Sequence, residues 1–372
     1  PSISNEVKIL VVWDCSGNHI QKTPVLFIVM GALRVSMIFF ASSSAARVLL
    51  SLLIKARTMM KPLRKNVAIA IDGGGIRGVI VTRALMILEQ SLGVPLKQVF
   101  RLTAGTSTGS LIAAGMAAGI PVREIHELYL DQGPKIFAKT LRSRLWPLTR
   151  YRYSNQALIE NLEYHLGDRV MGEFWEAEPP TDMVITTFDL KTNRTRFIKP
   201  WKSKYRDWPV VQTVLASSSV PTYFPVVQGR YIDGGIGSYA NPCYLAAYEL
   251  RYCLRWNPAE TTLISLGTGR SPQRFEPAQV ERMWPWEWLN PILGAFMGSA
   301  DDQQVHLVNN FFPRLDFRRF QVDLNQPIGM DDVSKIPRLV VYGEQLGRKI
   351  LNDQIDRAQR VVAKQAPMVY VK

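Results

Sequence analysis

Cysteine is scarce in this chain: three in 372 residues, at Cys15, Cys243 and Cys253. An odd count with no C-x-x-C pair excludes a disulfide framework and a cysteine zinc site, and it fits a reducing compartment. Histidine is nearly as rare, with four residues, so any serine chemistry has few imidazoles to draw on. No uninterrupted apolar run approaches the roughly 20 residues of a spanning helix. The apolar stretch 24–54 is broken by Arg34 and Arg47. Acid is missing where base is dense. From Lys135 to Arg152 there are six basic residues and no Asp or Glu. Between Asp189 and Asp207 lie Lys191, Arg194, Arg196, Lys199, Lys202, Lys204 and Arg206, with Phe197, Trp201 and Tyr205 among them. The net charge of +14 implies an anionic partner. Without a nucleic-acid module, these runs read either as solvated edges or as contacts to lipid phosphate, and no nucleic acid is expected.

Residues 1–62 read as an extension apart from the rest, and 63–372 as the folded domain. Three readings suit the extension: an upstream segment with the start near Met59 or Met60, a membrane-associating segment, or a signal or anchor. From Lys65 the pattern is regular. "VAIAI" is a buried strand bounded by glycines, and "VIVTRALMILEQSLG" is a helix closed by Gly93. "VFRLTA", "DMVITTFDL", "RYIDGG" and "TTLISLGTG" are further strands. "TGSLIAAGMAAG", "VREIHELYL" and "SNQALIENLEYHLG" are helices, the last with Ser154 as N-cap and Gly167 as stop. Strands alternating with helices predict an α/β fold, a largely parallel sheet covered on both faces.

Two motifs carry the chemistry. "DGGGIRG" at 72–78 follows the first strand. Its glycines fit either a dinucleotide turn or an oxyanion hole of backbone amides. The dinucleotide reading needs an acid about 20 residues on, and Glu89 is too close and lies in the helix. "GTSTG" at 105–109 is a G-x-S-x-G between strand and helix, the context of a nucleophile elbow at Ser107. Gly105 and Gly109 flank the serine because a Cβ there would crowd the turn. A serine needs a base. Of the histidines only His306 follows the candidate acid Asp233, and it carries no motif. His126 and His165 fall in helix patterns. Asp233, in "GRYIDGGIGSYANP", stands at a strand end before Gly234 and Gly235. "ERMWPWEWLNPILGAFMG" could be an interfacial helix, but aromatic-rich segments usually pack on the sheet, which is the expectation here.

In order and spacing, "DGGGIRG", "GTSTG" and "DGG" at 233–235 resemble the patatin-like phospholipase family. "ASSSVPTYFPV" at 216–226, "NP" at 241–242 and "ISLGTG" at 264–269 extend the resemblance over 67–269. "GSADDQQVHLVNNFF" and "MDDVSKI" are more loosely similar to bacterial members. The resemblance implies a three-layer α/β/α fold, a patatin-like variant of the α/β-hydrolase type. It implies a Ser–Asp dyad, with Ser107 as nucleophile and Asp233 as general base. Oxyanion donors would come from Gly73, Gly74 and Gly75, chiefly the last two. Arg77 would hold the loop or meet a lipid phosphate, and Gly78, Gly105, Gly109, Gly234 and Gly235 would support the turns. No metal or cofactor is implied. The substrate would be a lipid ester, met at a membrane through the basic runs, in a cytoplasmic or peripheral location or as a delivered effector. A general carboxylesterase, thioesterase or transacylase uses the same dyad. A catalytically weak membrane-surface protein is the alternative of another class.

Overall fold

The computed structural model describes residues 60–356, except 147, 178–179, 273–276 and 285–286 and several side chains between 277 and 300, and the strands of an N-terminal sheet. Its contacts divide the chain into Pro1–Met59 and Met60–Lys372. The first unit holds an antiparallel meander of β1 (Val7–Trp13), β2 (Pro24–Met30) and β3 (Met37–Phe40). Its register pairs Val7 with Met30 and Val25 with Phe40.

The second unit is built on seven strands. β4 (Asn66–Ile71), β5 (Leu102–Gly105), β6 (Asp182–Asp189), β9 (Thr261–Leu266) and β10 (Asp316–Phe320) run parallel in the order β10-β9-β4-β5-β6. β7 (Arg194–Ile198) and β8 (Tyr231–Asp233) pair antiparallel with β6. The sheet is therefore largely parallel, and the α/β fold expected from the sequence is the one observed.

The central strand explains the layering. β4 is buried along its length apart from Asn66, and its side chains alternate between faces. Val67, Ile69 and Ile71 enter a core with Val79, Ile80 and Leu85 of α1 (Gly78–Leu92). Ala68 and Ala70 enter another with Leu245, Ala246, Val305 and Val308. Every strand of this kind needs cover on both sides, and the helices supply it.

The helices used below are α2 (Thr108–Ala118), α3 (Val122–Ile136), α4 (Gln156–Leu166), α5 (Val210–Ser218), α6 (Cys243–Tyr248), α7 (Leu289–Phe311) and α8 (Ile336–Leu351). Gly93 and Gly119 end α1 and α2 in the left-handed conformation. Asn155, not Ser154, is the N-cap of α4. Ser154 sits one residue earlier, and its Oγ accepts from the Gln156 amide at 3.2 Å. α8 buries Leu339, Tyr342, Leu346 and Ile350, spaced for one helical face, in the same core as α1.

Residues 61–64 are tied into the main unit. The carbonyls of Lys61 and Pro62 accept from Arg318 at 2.8 and 3.0 Å, and Arg64 Nη1 donates to the Arg314 carbonyl at 2.8 Å. No helix among the described residues is long and apolar enough to cross a membrane. Trp284, Trp288 and Ile292 are exposed, against the expectation that this segment packs on the sheet. Trp286, Leu289, Leu293, Phe296 and Met297 lie outside the described side chains.

Candidate active site

The topology brings two distant motifs together. β5 ends at Gly105 opposite Ile185, and β8 ends at Asp233 opposite Thr187. The two strands meet β6 two residues apart, about 7 Å along the strand. β5 runs out of the sheet into Ser107, and antiparallel β8 arrives there with Asp233.

Ser107 caps α2 with φ 54° and ψ −126°. A non-glycine residue held at positive φ stores roughly 1–3 kcal/mol of strain. The surroundings fix it. The Ser107 amide donates to Ser217 Oγ at 2.9 Å. Its carbonyl accepts from Ser110 Oγ at 2.6 Å and Ser218 Oγ at 3.2 Å. Gly105 and Gly109 are required for close approach. A Cβ on Gly105 would strike the Gly109 carbonyl, and one on Gly109 would strike the Ile71 carbonyl. Ser217 and Ser218 belong to "ASSSVP" at 216–221, whose role in holding Ser107 the sequence alone does not assign. Its serine density was the available signal.

Asp233 is 4% exposed. Its Oδ1 accepts from the Gly235 amide at 2.7 Å, and its Oδ2 has no hydrogen-bond partner. Burial pushes the carboxyl up to about 6, against the pull of the Ser107 hydroxyl and the Gly235 amide. A buried carboxyl with one oxygen occupied and one without a hydrogen bond has the chemistry to accept a proton.

The glycine loop opens beside Ser107. Gly75 and Ser107 line one apolar cavity. The Gly73 amide already donates to the Ala240 carbonyl at 2.9 Å, so it is not free to receive an anion and leaves the oxyanion set expected from sequence. Among the described residues the Gly74 and Gly75 amides donate to no one. Thr268 Oγ1 holds the loop from outside, donating to the Gly73 carbonyl at 2.6 Å. Arg77 holds it from within, with Nε 3.4 Å from the Gly74 carbonyl and Nη1 3.5 Å from the Gly269 carbonyl. Burial lowers the Arg77 pKa, and Asp72 works against that. Gly78 packs so closely that a Cβ would meet Thr108 and Tyr129, and a Cβ on Gly234 would meet Thr186.

Beneath this loop lies a polar cluster the sequence did not reveal. Arg319, 1% exposed, forks onto Asp72, and its Nη1 and Nη2 also donate to Ser265 Oγ and Asp301 Oδ1, each at 2.8 Å. Asn241 donates to Asp301 at 2.6 Å. Burial opposes the Arg319 charge, but Asp301 and Asp72 more than offset it and hold its pKa above the ordinary range.

From Ser107 the apolar cavity follows α2 past Leu111 to Gly115. That is eight residues, about 12 Å of helix. Ile125, Tyr129 and Phe137 close one side, and Leu158, Leu162 and Phe224 others.

Among the described histidines only His165 lines the Ser107 cavity. His126 is buried against Thr82 Oγ1 at 2.8 Å, and burial pushes it down to about 4. His165 lines the apolar cavity on α4. His306 is exposed on α7 and does not line that cavity. His19 lies outside the described residues. Cys243 and Cys253 are free thiols.

Comparison with known proteins agrees with this architecture. Residues 69–247 match the sequence profile of "Patatin-like phospholipase". The chain is 30% identical over 242 residues to an intracellular phospholipase A2 of Caenorhabditis elegans, covering 60% of this chain and 21% of that protein. It is 29% identical over 294 residues to patatin-like protein 1 of Oryza sativa subsp. indica, covering 65% of this chain and 69% of the relative. It is 26% identical over 328 residues to a cGAMP-activated phospholipase of Pseudomonas aeruginosa, covering 81% and 94%. The chain thus spans about a fifth of the worm protein and most of the bacterial one. Relatives from a worm, a plant and a bacterium do not single out the bacterial type. Through these matches, residues 69–247 are similar to the patatin-like phospholipase family, on the α/β fold described above.

Proposed function

We propose that the protein is a lipid acyl hydrolase that cleaves carboxylic esters through a Ser107–Asp233 dyad. The observation that carries this reading is the open, buried Oδ2 of Asp233 beside a serine that is strained into the elbow and lines an apolar cavity. In the first step Asp233 Oδ2 takes the Ser107 hydroxyl proton as Oγ bonds to the ester carbonyl carbon. The carbonyl oxygen becomes an oxyanion, received by the Gly74 and Gly75 amides of the loop that leads into α1. Collapse breaks the ester C–O bond, and the proton passes from Asp233 to the leaving alcohol. Water then attacks the acyl-serine, giving its proton to Asp233 and releasing the fatty acid as Ser107 regains its hydroxyl.

The cavity supports a long acyl chain, since its lining is almost wholly apolar over about two turns of α2. The basic runs support contact with an anionic membrane surface. The test compares a short-chain water-soluble ester with long-chain phospholipid vesicles. A lipid hydrolase releases fatty acid from the vesicles and loses that activity in Ser107→Ala. Turnover of the short ester alone would indicate a general esterase, and binding without turnover a surface module.

A further inference from the structure

We infer that residues 138–146 and 148–150, which leave the body at the cavity-lining Phe137, form a docking flap for an anionic membrane surface beside the Ser107 cavity. The inference rests on reading that cavity as the acyl site.

The flap leaves the body at Phe137 and returns at Arg152. Both ends are anchored on the cavity wall. Phe137 packs edge-on to Tyr153 at 5.4 Å and against Phe224 at 5.8 Å. The Arg152 and Tyr153 amides donate to the Thr222 and Tyr223 carbonyls at 2.9 and 2.8 Å. Arg152 lies over Trp146 at 4.2 Å and over Tyr223 at 4.7 Å, and pairs with Asp331 at 3.8 Å. Inside the flap, Leu141–Arg144 form one helical turn, and Thr149 Oγ1 donates to the Arg142 carbonyl at 3.1 Å. The described residues of the segment are thus tethered at both ends.

What it presents is unusual for a solvated loop. Leu141 is 72% exposed, Leu145 46% and Leu148 88%. Between and beside them stand Lys139, Arg142, Arg144 and Arg150, all exposed, with no acid in the stretch. None of these four makes an ion pair with a described carboxylate. Exposed leucines cost free energy in water and gain it on entering the acyl boundary, while flanking cations meet anionic headgroups. This combination selects a negatively charged bilayer over a neutral one.

The second basic run is less available. Arg196 pairs with Asp189 at 3.0 Å, Lys199 pairs with Glu249, and Arg206 pairs with Glu176. Arg230 also forks onto Asp189, and the surrounding guanidiniums hold that carboxyl well below the usual range. Only Lys191, Arg194, Lys202 and Lys204 remain exposed without a described acidic partner there, and no exposed leucine stands among them apart from Leu190.

The test uses the full chain carrying Ser107→Ala, so that binding is read without turnover, and phosphatidylcholine vesicles with or without phosphatidylserine. We expect binding that requires phosphatidylserine and weakens as ionic strength rises past about 0.15 M. Leu141→Ser with Leu148→Ser, and separately Arg144→Glu with Arg150→Glu, should each weaken binding more than about tenfold. Lys202→Glu with Lys204→Glu should weaken it less. In chains that keep Ser107, the flap variants should retain wild-type turnover of a short soluble ester and the wild-type melting temperature. Flap variants that bind like wild type, binding indifferent to phosphatidylserine, or a larger loss from the Lys202 and Lys204 pair would each overturn the assignment. A flap variant with lowered melting temperature would be replaced by Leu148→Ser alone, whose described hydrogen bond, from its amide to the Leu145 carbonyl, is made by the backbone and not by the side chain, and the same criteria then decide.

Discussion

Arg319 meets Asp72 as a buried fork, with Nη1 2.9 Å from Oδ1 and Nη2 2.5 Å from Oδ2. Asp72 is the residue before the glycine loop, so the fork pins the loop where it leaves β4. Through Asp301 and Asn241 the same guanidinium reaches the chain just after Asp233. One side chain on β10 thereby supports both halves of the site.

Removing that side chain should be costly. Arg319→Met removes the buried cation that pairs with Asp72 and Asp301, a loss of about 3–5 kcal/mol. Asp72→Asn in the same chain should recover part of it, giving a coupling above about 0.5 kcal/mol in a denaturant double-mutant cycle. Strict additivity would mean that the pair does not act as a unit.

The Asp233 carboxyl at about 6 sets a pH dependence. As base it works only when ionised, so kcat/KM should rise with pH through about 6 and level off above it. Asp233→Asn should abolish that limb together with most turnover, while His306→Ala should change neither. A limb that survives Asp233→Asn and vanishes in His306→Ala would replace the dyad with a triad.

Chain length should be governed by Gly115, two turns along α2 from Ser107. A Cβ there would press on Ile125 Cδ1, the far end of a side chain. Gly115→Val should shift preference from long to short acyl esters, at a stability cost of about 1–3 kcal/mol. An unchanged chain-length profile in a folded variant would mean that the acyl chain lies elsewhere.

A chain beginning at Met60 should fold and keep soluble-ester activity, because β4 and every residue of the candidate site lie beyond it. A chain beginning at Asn66 should melt lower, since it loses the Lys61 and Pro62 carbonyls that Arg318 uses and the Arg64 bonds to Pro258 and Arg314. Equal melting of the two would contradict that account.

Much of the site was legible because its constraints are local. A serine at positive φ between two carbonyl-crowded glycines must be written G-x-S-x-G, and Gly234, which follows β8, packs on Thr186 too closely for a Cβ. The buried alternation of β4 was likewise plain in "VAIAI". What was hidden depends on residues far apart in the chain. Arg319 sits in "LDFRRF", which has no motif, and its partners are 247 and 18 residues away. The Gly73 amide is likewise taken by a carbonyl, that of Ala240, 167 residues on, which no local pattern marks. The exposure of Trp284 and Trp288 could not be told from core packing, because both use the same apolar spacing.

Identifying the residue that carries the acyl group tests the central claim most directly. The protein is quenched during hydrolysis of a long-chain activated ester, digested and mapped by mass spectrometry. The dyad predicts one acyl adduct, on Ser107, absent in Ser107→Ala. An acyl group on another residue, or full turnover by Ser107→Ala, would contradict it.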